Sequence, residues 1–221
     1  MRTWPEISAW RKRKRVELIE RRMSIPVVRR RELSAEIVTV IEQAFPLLRR
    51  MVIAFCWPYR GEVDVRYVIH AFRQRGATAA LPVVVAKGSA LQFRQWWPGV
   101  AMVPGALDIP APQDSEVVIP DAAIVPLVGF DGQGFRLGYG GGYFDRTLAA
   151  LERMPLAVGV GTEAGRLPTI HPQPHDIPMD FIVTEAGVHA VADGRLERLP
   201  IAAAATLAER LAVRRGLCRD R

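Results

Sequence analysis

The residues best suited to chemistry lie together between Val125 and Arg146, V-P-L-V-G-F-D-G-Q-G-F-R-L-G-Y-G-G-G-Y-F-D-R. A glycine-rich run from Gly132 to Gly142 encloses Arg136 and stops just short of Asp145. Glycine permits positive φ and lets backbone N–H groups approach an anion with no Cβ in the way. The residues from Tyr143 to Arg153 read as a helix, and a helix amino end attracts negative charge. In such a cradle Arg136 pairs with phosphate oxygens, and Asp145 offers a carboxylate to Mg²⁺. The loop matches neither common nucleotide fingerprint: no G-x-x-x-x-G-K-[ST] is present, and after Gly138 and Gly140 the third glycine comes at Gly142, one residue early for the dinucleotide pattern. Composition alone is equally compatible with a tight strand-to-helix connection.

The elements that must position these residues alternate along the chain. Ile7 to Met23 reads as a basic amphipathic helix, and a second helix is expected with Ser34 as its N-cap and Ile37, Val38, Ile41, Phe45 and Leu48 at helical spacing. Met51 to Cys56 and Thr78 to Ala86 read as buried strands, with a helix between them from Val63 to Arg75. Short strands are expected at Leu91 to Phe93 and Val100 to Val103. Ala122 to Val128 leads into the glycine loop, Leu156 to Gly161 and Phe181 to Thr184 follow, and a hairpin continues through Val188 to Ala192. The fold class is therefore α/β: three layers, α/β/α, with a mostly parallel open sheet of Rossmann-like type and ligand at the carboxyl ends of the strands. One domain is expected over residues 1–193, with 194–221 as a basic C-terminal extension.

The chain has 221 residues and a net charge of +7. No apolar run reaches the roughly 20 residues of a membrane span, and charge occupies the start where a signal peptide needs an apolar stretch. A cytoplasmic protein is expected. Two cysteines, Cys56 and Cys218, make no disulfide framework. The basic excess is concentrated in R-K-R-K-R at 11–15, R-R-R at 29–31 and the tail. A solvated helix face explains such runs, and a phosphate or other polyanion site explains them as well. His171 and His175 suggest zinc, but no third nitrogen or thiolate stands near them in sequence and prolines interrupt the segment. Phe93, Trp96 and Trp97 are candidates to stack a ring or to pack a core.

Asp121 to Arg146 closely resembles the signature of the 5-formyltetrahydrofolate cyclo-ligases, V-P-G-x-x-F-D followed by G-x-R-L-G-x-G-x-G-Y-Y-D-R, and the likeness extends from the basic first helix to Thr184-Glu185. The resemblance implies an ATP- and Mg²⁺-dependent enzyme that converts 5-formyltetrahydrofolate to 5,10-methenyltetrahydrofolate, ADP and phosphate. It implies Arg15 and Arg136 as catalytic residues. ATP binding falls to Arg11, Arg15, Arg136, Leu137, Gly138, Gly140, Gly141, Gly142, Tyr143 and Phe144. The folate falls to Trp57, Glu62, Tyr139 and Tyr143, together with Arg15 and Gly140 to Gly142, and the metal to Asp145 with Asp180. A reduced folate is the expected partner, and no nucleic acid, membrane or obligate protein partner is expected. Three residues depart from the family pattern: Arg11 stands for lysine, Val65 for threonine and Phe144 for tyrosine. These departures leave a relative acting on a non-folate substrate as an alternative, and the basic helices leave a nucleic-acid-binding module as another.

Overall fold

Large and small residues alternate along the central strands, and this alternation divides the molecule into layers. The computed structural model describes residues 3–217. Two long helices open it, α1 (Trp4–Ser24) and α2 (Val27–Ala44), followed by β1 (Val52–Phe55), α3 (Arg66–Arg73), β2 (Thr78–Val83) and β3 (Gln92–Trp96). A small ribbon of β4 (Met102–Pro104) and β5 (Pro110–Pro112) precedes β6 (Ala122–Pro126). The glycine-rich segment contains β7 (Gly129–Asp131) and β8 (Arg136–Leu137), then α4 (Tyr143–Ala150). After β9 (Leu156–Val160) and β10 (Arg166–Leu167), the chain finishes with β11 (Phe181–Thr184), β12 (Gly187–Ala192), β13 (Arg195–Leu199) and α5 (Ile201–Arg214).

Eight strands form one sheet in the order β13-β12-β11-β9-β6-β1-β2-β3. The five from β11 to β2 are parallel, and the antiparallel strands β3, β12 and β13 close the edges. From β1 the chain steps to β2 on one side and later returns to β6 on the other, so the order reverses at β1 and β6. In an open sheet the crevice at such a reversal is where ligands bind. The second small sheet, β10-β7-β8, lies beyond β6 and supports the glycine loop.

Ile53, Phe55, Ile124, Val158, Phe181 and Val183 point to one face, where α2, α3 and α5 cover them. The opposite face carries alanine. Ala80 pairs with Ala54, Ala54 with Ala123, and Ala123 with Ala157, forming a lateral row across four strands. Over this row sit Leu127, Phe130, Leu148 and Met179, so the glycine-loop region and α4 approach the sheet closely.

Several expected boundaries change. Helix α2 begins at Val27 behind Pro26, not at Ser34, and the mid-helix Ser34 hydroxyl accepts the Asp64 N–H at 3.2 Å. Residues 63–65 are not helical. Asp64 caps the shorter α3 by accepting the Arg66 N–H at 3.1 Å, while Val65 is buried in the core. The threonine hydroxyl lost at Val65 is thus offset by its neighbour.

Residues 195–214, read as extension, are built into the fold as β13 and α5. Ala204, Ala208 and Ala212 recur at i, i+4 and i+8, and all are fully buried in the main core. Cys218 lies outside the described residues. Because Ala208 is fully buried against the core, Ala208→Leu is expected to destabilise the protein by about 1–3 kcal/mol. Ala202→Leu, on the exposed side, should change stability by less than about 0.5 kcal/mol. Denaturant unfolding of both variants tests whether α5 is integral, and equal stabilities would show that it is not.

Candidate active site

Strand ends β1 and β6 open into a cavity of about 1040 Å³ whose walls come from α1, the glycine loop and residues 174–177. The β4–β5 ribbon forms part of its rim through Gly105, Ala106, Ile109 and Pro110.

One side of the cavity is cationic. β8 presents Arg136, a residue only 8% exposed, whose guanidinium pairs with Asp145 of α4 at 3.0 Å. Arg136 also donates to the Ile177 carbonyl at 3.1 Å, and its guanidinium lies 5.8 Å from the Phe144 ring centroid. Burial pulls Arg136 below the ordinary arginine value against the opposing pull of Asp145. Asp145 accepts the Ile177 N–H at 3.1 Å, so the ion pair also fixes the backbone of a neighbouring segment.

Helix α1 contributes Arg15, which donates to the Gly138 carbonyl at 2.7 Å. Burial, reinforced by the charge of Arg11, lowers its pKa. Gly140 holds φ at +95°, and a Cβ there would stand 3.1 Å from the Arg15 guanidinium carbon, so glycine serves both the turn and the close approach of the cation. Gly142, at φ +63°, precedes the first turn of α4, and both line the cavity. Arg146 donates to the Gly141 carbonyl at 2.6 Å and lies over the Tyr143 ring.

The other side is a buried acceptor. Glu62 is 9% exposed and accepts the Tyr139 hydroxyl at 2.9 Å and the Tyr59 N–H at 3.0 Å. Arg22 donates to the Tyr139 oxygen at 2.7 Å and to the carbonyls of Arg60 and Leu127 at 2.9 and 3.2 Å. Trp57 stands in the same wall with the Arg66 guanidinium over its ring at 4.7 Å. Burial pushes the Glu62 carboxyl up, although Arg22 and the Tyr139 and Tyr59 hydrogen bonds oppose it. Cys56, also in the wall, has its thiol pushed far up by burial and then by the charge of Glu62, so it remains protonated.

Most of the expected site residues line this cavity, Arg11 and Leu137 among them, and one stands elsewhere. Asp180 does not join Asp145. It precedes β11 outside the cavity, where Arg215 takes both of its oxygens at 2.7 and 2.8 Å and the Ala157 N–H donates to it at 2.8 Å. Arg11 lines the cavity but is engaged within the protein: it forms a bidentate pair with Asp176 and donates to the carbonyls of Ile170 and His171, both at 3.0 Å. It therefore anchors the 170–176 segment. Leu137 also lines the cavity, with its side chain buried and its carbonyl accepting the Val128 N–H. Phe93 and Trp96 are core residues, and among the described residues no group of three or more His, Cys, Asp or Glu could hold a metal.

Asp176 was given no site role from the sequence and Arg22 only a place in the first-helix motif that resembles the family, although Arg11, Arg15, Leu18 and Arg22 share one face of α1 at i, i+4, i+7 and i+11. That spacing was the available signal.

Comparisons with known proteins identify the family. The model of the 5-formyltetrahydrofolate cyclo-ligase family matches residues 7–185, and the chain belongs to that family of ligases. It is 29% identical over 177 residues to the 5-formyltetrahydrofolate cyclo-ligase of Escherichia coli (strain K12), covering 76% of this chain and 97% of the relative. For the Mycolicibacterium smegmatis cyclo-ligase the identity is 29% over 178 residues, with 77% and 91% covered. The solved Aquifex aeolicus 5,10-methenyltetrahydrofolate synthetase matches with a TM-score of 0.72 at 28% identity, over 84% of this chain and 94% of that one. Its Mycoplasma pneumoniae counterpart, at 22% identity and a TM-score of 0.65 over 79% of this chain and 98% of that one, shares the fold. Among the described residues no helix is long and apolar enough to cross a membrane.

The burial of Glu62 gives a pH signature. Its folded pKa lies above the unfolded value of 4.5, so its stabilising contribution is complete below that pH and is lost as pH rises through the folded value. Glu62→Gln removes this titration. Its thermal stability relative to wild type should therefore climb as pH rises from 4.5 and then level off, and a pH-independent difference would contradict the assignment.

Proposed function

We propose that the protein catalyses the ATP- and Mg²⁺-dependent closure of 5-formyltetrahydrofolate to 5,10-methenyltetrahydrofolate, releasing ADP and phosphate. The observation that carries this reading is the meeting of two unlike half-sites in one cavity: arginine and glycine-loop N–H groups on one side, and the buried Glu62–Tyr139 acceptor on the other. Its volume, about 1040 Å³, is at the upper end of the range for a single small ligand. That size supports a nucleotide and a second substrate side by side.

The substrate chemistry suits these groups. An N-formyl group is amide-like, and its oxygen cannot depart as oxide. Transfer of the γ-phosphoryl group to that oxygen breaks the bond to ADP and makes phosphate the leaving group. N10 then attacks the formyl carbon, the C–O bond breaks, and the N10 proton is lost. No side-chain nucleophile is required, consistent with the protonated Cys56. Alignment and charge neutralisation are the protein's tasks.

Arg15 and the N–H groups from Gly138 to Gly142 hold phosphate oxygens, and Arg136 balances the charge that gathers as phosphoryl transfer proceeds. Glu62 accepts from the 2-amino and ring N–H donors of the pterin, Tyr139 orients that carboxylate, and Trp57 and Tyr143 flank the ring. The donor set fits a magnesium ion held mainly by substrate oxygens, since Asp145 stands on the phosphate side of the cavity with one contact to each oxygen and lone pairs to spare, and a hard octahedral ion takes one or two carboxylates with phosphates and water. Bound there, the ion supplies further neutralisation of phosphate charge.

Mixing the protein with 5-formyltetrahydrofolate and following ultraviolet absorption of the methenyl product should show turnover that needs both ATP and a divalent cation. Product without ATP, or none with any divalent metal, would overturn the reading. Arg15→Ala removes a charge-assisted contact of about 1.5–3 kcal/mol and should weaken ATP binding roughly ten- to hundred-fold, whereas Lys12→Ala on the exposed face of α1 should leave it unchanged. Titration calorimetry with both variants checks this, and equal affinities would remove Arg15 from the phosphate site.

A further inference from the structure

Residues 172–180 carry no helix or strand, yet their last five residues touch five separate parts of the molecule. Asp176 receives Arg11 of α1. Ile177 gives its N–H to Asp145 and its carbonyl to Arg136. The Met179 N–H donates to the Gly134 carbonyl at 2.9 Å, and the Asp180 N–H to the Ala157 carbonyl at 2.9 Å. The Asp180 carboxylate is then gripped by Arg215, which also donates to the Pro155 carbonyl at 3.0 Å.

Arg215 is itself firmly placed. It caps α5, whose alanine face is fully buried. Arg153 donates to the next carbonyl, Gly216, at 2.7 Å, and Leu217 is buried beyond it. The Arg215 and Asp180 side chains are 21% and 12% exposed, so both charges are largely withdrawn from water. From Asp180 to Ile177 is three residues, at most about 10 Å of chain, which leaves little slack between the clamp and the Arg136–Asp145 pair. Arg215 also lies outside the part of the chain that matches the family, residues 7–185.

We propose that Arg215 is a positioning residue of this protein: through Asp180 the C-terminal helix sets the register of the 176–180 strap and thereby the geometry of Arg136 and Asp145. The consequence for turnover rests on the proposed function, but the mechanical coupling does not. Asp180 serves as the seat of this clamp and not as a metal ligand.

Amide hydrogen exchange of the full chain measures the coupling without substrate. In Arg215→Met and in Asp180→Asn, the Ile177 and Met179 amides should exchange at least about tenfold faster, as expected when one partner of a desolvated pair is lost. Ile41→Val, a core truncation in α2, controls for general loss of stability and should leave the two amides unchanged relative to the core strands. Arg215→Lys should restore part of the protection. The Arg215→Met/Asp180→Asn double variant should be no worse than either single variant, since one interaction is removed in all three.

In the methenyl assay, both single variants should raise KM for ATP and shift the magnesium concentration for half-activation by a similar factor, since both reach Asp145 through the strap. Exchange that rises no more than in the Ile41→Val control would reduce Arg215 to a purely structural residue. A shift in magnesium dependence in Asp180→Asn alone would return Asp180 to the metal. Absence of turnover in the wild type would overturn the proposed function, while the exchange result would still decide the clamp. If Arg215→Met fails to fold, Arg215→Lys and Asp180→Asn carry the same comparison.

Discussion

A buried guanidinium cannot shed its proton, so the surroundings of Arg136 have to supply its counter-charge and its acceptors. This constraint organises the site. Asp145 answers it from the first turn of α4, the Ile177 carbonyl from the strap, and the Phe144 ring face from beside the carboxylate. Removing one partner of a buried pair costs about 3–5 kcal/mol, a large part of the 5–15 kcal/mol that holds a typical domain together. The glycine loop, α4 and the strap therefore hold a common arrangement, because displacing any one of them strands the charge of another.

Arginine does similar work along α1, where lysine could not. Arg11 joins two carbonyls to a carboxylate, and Arg22 joins two carbonyls to a tyrosine hydroxyl. A planar fork with five donors can bridge three chain segments at once; an ammonium offers a single point of charge. The preference for arginine thus reflects long-range tethering of loops as much as affinity for anions. Arg15, which lines the cavity and donates to the Gly138 carbonyl, is the member of the row best placed for a ligand.

Much of this was legible in the sequence. Buried strands reveal themselves by unbroken apolar runs, and β1, β2, β6, β9 and β11 appear within a few residues of their expected positions. The glycine loop was legible because its composition is unusual for packing, and Glu62 through the family resemblance alone. What was hidden depended on pairing between distant residues. The last helix looks like an alanine-rich basic tail until Ala204, Ala208 and Ala212 are seen against the core. Asp180 looks like a partner for Asp145, since both carry the right chemistry; only the approach of Arg215, 35 residues later, separates them. Likewise, nothing local in α1 shows that Arg11 meets a carboxylate 165 residues away.

The alanine row across β2, β1, β6 and β9 makes the two faces of the sheet unequal in the sequence change they can absorb. Opposite α2 and α5, one branched aliphatic can replace another and neighbouring side chains can adjust. On the alanine face each added methylene has to be taken up by Leu127, Phe130, Leu148 and Met179, and so by the backbone that carries the glycine loop. The row thus acts as a thickness gauge between scaffold and site, tolerating little but alanine or something smaller. Divergence toward a different second substrate is consequently channelled to the rim, to the β4–β5 ribbon and the wall around Trp57, where side chains can change size without lifting the floor.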